Sequence, residues 1–117
     1  MFAVFADETG IDTEQALLLA SPFGGGFAQL REVCGALSGM FMVMGLTEGF
    51  AAPVDKQAKD AFYQKLRGME AAFCEKYKTN NCARLLKDAE DSGREKPCAE
   101  LVGFAAELAE AKLAEKH

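Results

Sequence analysis

The sequence predicts an all-α fold, a compact single-domain bundle of about five helices with a glycine-rich helix at its centre. Three observations carry that expectation. Strand signals are scarce in a chain of 117 residues that is 50% hydrophobic, so helices must do the burying. Residues 54–78 repeat apolar side chains at three-four spacing. Helix-starting residues, namely Asp12, Pro53, Asn81 and Pro97, fall ahead of the segments that read as helical. A chain of this length fits one domain and can bury a modest core without disulfides. No internal repeat and no second domain are visible across residues 1–117.

The opening "MFAVFAD" begins apolar, has no cap before it and runs into the "ETG" break. It therefore reads as the last turns of a helix whose beginning is missing. Asp12 with Gln15 three residues on is a capping-box arrangement, and "TEQALLLA" follows as a short apolar helix ended by Ser21-Pro22. After the glycine loop the central helix is expected from about residue 29 or 31 to residue 47, apolar all round in its second half and so buried. Pro53 suits the first turn of a long amphipathic helix, with Ala58, Phe62, Leu66, Met69, Phe73 and Tyr77 inward. "TNN" interrupts it, and Asn81 can cap a short helix that begins at Cys82 and runs through "ARLLKD". The charged loop "AEDSGREK" then leads to Pro97 and a last helix with Leu101, Phe104, Ala105, Leu108 and Ala109 inward.

Charge and composition exclude several functions. Thirteen basic against eighteen acidic residues leave a formal charge of −5, the wrong sign for nucleic acid. The uncharged residues 33–47 fall short of the roughly 20 apolar residues a membrane-spanning helix needs. No secretory signal is visible, because the N-terminus turns acidic at Asp7, so the expected location is the cytoplasm, with no membrane and no nucleic-acid partner. The single histidine is His117. Ser/His/Asp and Cys/His nucleophile systems and mixed cysteine/histidine metal sites therefore lack their imidazole.

"FGGGFAQLRE" offers neither the lysine and hydroxyl residue nor the preceding strand that a phosphate loop requires, and no strand-helix-strand pattern supports a dinucleotide fingerprint. Gly24, Gly25 and Gly26 instead allow positive φ and close backbone approach, in a tight loop before a helix start whose free N–H groups favour an anion or a thiolate.

Three of the four cysteines fall near expected helix starts: Cys34 in the first turns of the central helix, Cys82 after Asn81, and Cys98 after Pro97. That placement raises the thiolate fraction, which both redox chemistry and metal ligation use. Cys74 lies inside the long helix, where a cysteine packs as a small hydrophobe. The chain has no C-x-x-C, hence no thioredoxin-type pair or zinc knuckle. Gly35, Gly39, Gly45 and Gly49 leave a smooth stripe, open either to tight helix packing or to a flat cofactor. Met40, Met42 and Met44 alternate in direction and read as core filler. Arg31 is either solvated or a charge that stabilises a nearby thiolate.

"GGGFAQLREVCGALSG", with Cys34-Gly35-Ala36-x-x-Gly39, followed by "NNCARLL" and "PCAELVGFAAEL", resembles the C-GCAxxG-C-C family of redox-active proteins. The resemblance spans almost the whole chain. It implies a small bacterial or archaeal protein with four family cysteines, redox-active or holding a metal or cluster, and often encoded near transporter or oxidoreductase genes. Cys34, Cys82 and Cys98 match three of the four. The fourth belongs to an N-terminal helix, just before residues that resemble "FAVFAD". The expectation is therefore a truncated start or a member that has lost one cysteine.

The reading is reversible thiol/disulfide or metal-linked electron chemistry, with Cys34, Cys82 and Cys98 as catalytic candidates and Cys34 the leading thiolate. The same three would be the ligands of any zinc ion or iron–sulfur cluster, and Gly24, Gly25, Gly26, Arg31, Gly35 and Gly39 the surrounding binding surface. Two other readings stay open: a non-catalytic metal- or cluster-binding module serving a transporter or oxidoreductase partner, and an acidic helical interaction domain with core cysteines. The glycine stripe and exposed helix start also leave room for a homodimer.

Overall fold

The computed structural model describes residues 1–95 and 97–115; Lys96, Lys116 and His117 lie outside it. Within it a 3₁₀ turn, Phe2–Phe5, runs into the single-turn helix α1 (Ala6–Thr9). Five helices of eight residues or more follow: α2 (Thr13–Ala20), α3 (Gly35–Glu48), α4 (Lys56–Tyr77), α5 (Cys82–Asp91) and α6 (Pro97–Glu115). No strand occurs among the described residues, so the all-α single domain and its helix count are borne out.

The ends of these helices follow local chemistry. Gly10 closes α1 in the left-handed region, at φ 77°, where a glycine carries no Cβ penalty. The Asp12 carboxylate accepts the Gln15 N–H at 2.9 Å, and Asn81 Oδ1 accepts the Arg84 N–H at 3.0 Å, so both expected caps form. Pro53 does not open α4. The helix starts three residues later, where the Asp55 carboxylate accepts the Ala58 N–H at 2.7 Å. A side-chain acceptor satisfies a free helical N–H, and a proline can only tolerate its absence.

The larger correction concerns the start of α3. A right-handed helix from residue 29 or 31 does not form, because Phe27, Ala28, Gln29 and Arg31 have φ of 72°, 52°, 62° and 60°. The glycines feed a left-handed coil in which the Gln29, Arg31 and Glu32 N–H groups return to the carbonyls of Gly24, Gly25 and Gly26. Such a conformation costs roughly 1–2 kcal/mol per non-glycine residue, and local propensity gives no sign of it. It is held from outside: the Arg31 carbonyl accepts from Asn81 Nδ2 at 3.2 Å and the Glu32 carbonyl from the Cys82 N–H at 2.6 Å.

The core sits around α3, whose Leu37, Met40, Val43 and Met44 are fully buried. It packs most extensively on α6, where Ala105 and Ala109 are fully buried, small side chains that let two helices approach closely. Leu66, Met69, Phe73 and Tyr77 of α4 are buried as expected, but Ala58 is exposed because the first turns of α4 run past the core. Phe104 of α6 meets Phe73 and Tyr77 at ring-centroid distances of 6.2 and 5.6 Å. Truncating a ring such as Phe73 to alanine costs about 3–5 kcal/mol. No described helix is long and apolar enough to cross a membrane.

Candidate functional site

The site begins with a two-stranded contact only one residue pair long. Val33 and Asn81 form an antiparallel bridge, flanked by hydrogen bonds from the Cys34 N–H to the Asn80 carbonyl (2.8 Å) and from the Cys82 N–H to the Glu32 carbonyl (2.6 Å). Side chains alternate across an extended pair. Val33 therefore faces solvent at 45% exposure, while Cys34 and Cys82, the next residue on each strand, turn inward at 6% and 8%. Helices α3 and α5 start from this bridge, with Cys34 the N-cap of α3 and Cys82 the first residue of α5.

The register fixes the spacing of the two sulfurs' backbones. Cys34 stands opposite Asn80, so Cys82 is its diagonal neighbour two residues along. Diagonal neighbours lie about 7–8 Å apart, at the edge of the roughly 7 Å Cα separation a disulfide can bridge. Both cysteines are free thiols in this structure. Cys98, in the first turn of α6, is a free and exposed thiol near enough to add to the charge felt by Cys34.

The glycine loop is fitted to Cys82 more tightly than to Cys34. Gly26 is buried with φ 75°, and a Cβ added there would lie 2.5 Å from the Cys82 Cβ, 2.8 Å from the Glu32 nitrogen and 2.9 Å from the Arg31 Cα. Gly35, at the start of α3, sits beneath the Phe23 carbonyl, 3.2 Å from where its Cβ would be. The stripe expected along α3 is not one surface. Gly39 is covered by Met1 and Phe2, and a Cβ on Gly45 would meet nothing within 4 Å.

Together these elements enclose a pocket of about 270 Å³. Cys34, Cys82 and Cys98 all line it, as do Gly24, Gly25, Gly26, Arg31, Gly35 and Gly39. The remaining walls are apolar. Phe23, Met42, Leu85 and Val102 among them escaped the sequence reading, since any buried helix face carries such residues. The Val33–Asn81 bridge escaped it too, although a β-branched residue just before the cysteine, paired with a short "TNN" break, is its faint signature.

Electrostatics divides the cysteines. Burial pushes the Cys34 thiol up from its ordinary value, opposed by the N–H groups of Ala36 and Leu37 and reinforced by Cys82 and Cys98. At Cys34, desolvation outweighs the N–H groups of the helix start. Arg31 Nη1 donates to the Cys82 sulfur at 3.7 Å, so the thiol that the guanidinium meets is that of Cys82. Cys74 is half-buried and outside the pocket. Burial, with its 2.7 Å hydrogen bond to the Glu70 carboxylate, pushes it up to about 11 and keeps it a thiol.

Among the described residues no three cysteine, histidine, aspartate or glutamate side chains are grouped so that they could hold a metal ion.

No curated protein and no solved structure matches the chain. A family model does, over residues 1–112, described as "Putative redox-active protein (C_GCAxxG_C_C)". The match covers nearly all of the chain, including the three pocket cysteines, and on that ground the chain belongs to the C_GCAxxG_C_C family.

Proposed function

We propose that the protein is a dithiol redox protein whose Cys34, Cys82 and Cys98 exchange electrons with a disulfide substrate. One observation carries this reading: three cysteines from three separate elements, α3, α5 and α6, line one pocket while the fourth stays outside it. Cys82, with the Arg31 guanidinium at its sulfur, is the attacking nucleophile of this reading. Its thiolate attacks one substrate sulfur, the substrate S–S bond breaks, and the leaving thiolate takes a proton from water. A second pocket cysteine, deprotonated to solvent, then attacks the Cys82 sulfur and releases the other half of the substrate. Two protein thiols and one disulfide become one protein disulfide and two small thiols.

Cys98 is the exposed member, and Cys34 and Cys82 are both buried. A closing Cys34–Cys82 bond needs only a small inward movement at the Val33–Asn81 bridge, because diagonal neighbours already lie near the bridging limit. The expected setting is the cytoplasm, whose thiol pools would return the disulfide to the reduced state.

The test is oxidation of the full chain by a small organic disulfide, followed by intact mass and peptide mapping. The reading expects loss of two hydrogens, a bond among Cys34, Cys82 and Cys98, and Cys74 still free. Stoichiometric zinc or iron in anaerobically purified protein, held by these cysteines, would replace it with the metal-binding module. Thiols that neither oxidise nor alkylate in the native protein would leave an interaction domain with core cysteines.

A further inference from the structure

We infer that the pocket takes a small, largely apolar disulfide bearing a carboxylate, and that Arg31 is the residue that recognises the charge. The inference rests on the dithiol reading above and adds the substrate class.

Size comes first. A pocket of about 270 Å³ lies just below the roughly 300–1,000 Å³ usual for small-molecule sites. It has room for a small organic molecule but not for a folded partner. Its walls come next: Phe23, Met42, Leu85, Leu101 and Val102 supply apolar surface, and Arg31 is the single charged side chain in the lining. A substrate filling the pocket is therefore apolar over most of its length.

The state of Arg31 supplies the charge argument. The four ion pairs among the described residues are Lys65–Glu48, Arg84–Asp88, Arg94–Glu100 and Lys112–Glu115. Arg31 belongs to none of them, although the chain carries eighteen acidic residues. Of its five N–H donors, one from Nη1 goes to the Cys82 sulfur. The rest of the planar fork is free to hold a carboxylate in a two-point contact. Such a contact sets the carboxylate beside the sulfur that attacks, so a disulfide with an acid group a few bonds from its S–S bond meets both at once. When the mixed disulfide forms, Cys82 loses its negative charge and the substrate carboxylate becomes the guanidinium's anionic partner.

The protein's net charge of −5 makes the inference sharply testable, because the molecule as a whole repels anions and attracts cations. Exchange rates of the full chain are measured with three symmetric disulfides of similar length carrying carboxylate, hydroxyl or ammonium groups. Each rate is divided by that disulfide's rate with a simple thiol, which removes leaving-group effects. The expected result is a corrected preference of about tenfold for carboxylate over hydroxyl, the order of one charge-assisted contact, shrinking as salt is raised. Arg31→Gln is expected to bring the ratio to one or below, and Arg31→Lys to keep part of it. A hydroxyl or ammonium disulfide that reacts as fast as the carboxylate one in the unaltered protein overturns the inference and leaves the dithiol reading standing. Failure to exchange with all three overturns the dithiol reading itself. The salt dependence in the unaltered protein decides the matter even where Arg31→Gln fails to fold.

Discussion

Gly26→Ala tests the fit between the glycine loop and the thiol it covers. The new Cβ would lie 2.5 Å from the Cys82 Cβ, 2.8 Å from the Glu32 nitrogen and 2.9 Å from the Arg31 Cα. Ordinary carbon–carbon contact is about 3.5–4.0 Å, so an atom must yield by about 1 Å. None of the three obstructing atoms is the free end of a flexible side chain. Overpacking of this kind costs about 1–3 kcal/mol, and an alanine held at φ 75° adds about 1–2 kcal/mol. Together that is about 2–5 kcal/mol, a large share of the 5–15 kcal/mol that stabilises a typical domain. Urea unfolding monitored by circular dichroism measures it. The control is Gly68→Ala, at an exposed site inside α4 where a Cβ meets nothing within 4 Å. That substitution is expected to stabilise by about 0.5–1 kcal/mol. If Gly26→Ala proves as stable as Gly68→Ala, the loop is not packed on Cys82 as described, and the argument that it houses that sulfur fails.

Asn81→Ala removes both the cap of α5 and the bond to the Arg31 carbonyl; about 1–2 kcal/mol of stability should be lost, with faster alkylation of Cys82 by mass spectrometry. Stability is also expected to fall in alkali. Burial raises Cys34, Cys74 and Tyr77 above their ordinary values, so the folded chain holds these protons more tightly than the unfolded one. Their contribution is whole below the unfolded values, near 9 for the thiols, and is lost as pH climbs through the folded ones, about 11 for Cys74. Cys74→Ala should flatten the part of that decline between pH 9 and 11 in denaturant midpoints; an unchanged profile would remove Cys74 from the explanation. In the native protein at neutral pH, Cys98 should alkylate first and Cys74 should react slowly despite its partial exposure, a ranking that peptide mapping reads directly.

Much of this was legible one residue at a time. Asp12 and Asn81 announce their helices because a side-chain oxygen three residues ahead of a free N–H is a local matter. The inward faces of α4 and α6 follow from three-four spacing, which one helix determines by itself. The three cysteines could be singled out because each stands beside a helix start, and the absence of an internal histidine closed off other chemistries without reference to the fold.

What the sequence alone could not decide is everything that depends on a second segment. The left-handed coil over residues 27–31 goes against local propensity. It stands because Asn81 and Cys82, about fifty residues away, donate the bonds that its Arg31 and Glu32 carbonyls accept. The later start of α3, the pairing of Arg31 with Cys82 rather than Cys34, and the inward turn of both buried sulfurs follow from that one bridge. Charge on a cysteine is likewise collective, since desolvation by the surrounding core outweighs the helix start at Cys34. Residue type and spacing singled out three sulfurs beside helix starts; only the packing of the glycine loop over α3 and α5 buried both Cys34 and Cys82 and set the Arg31 guanidinium at the second of them.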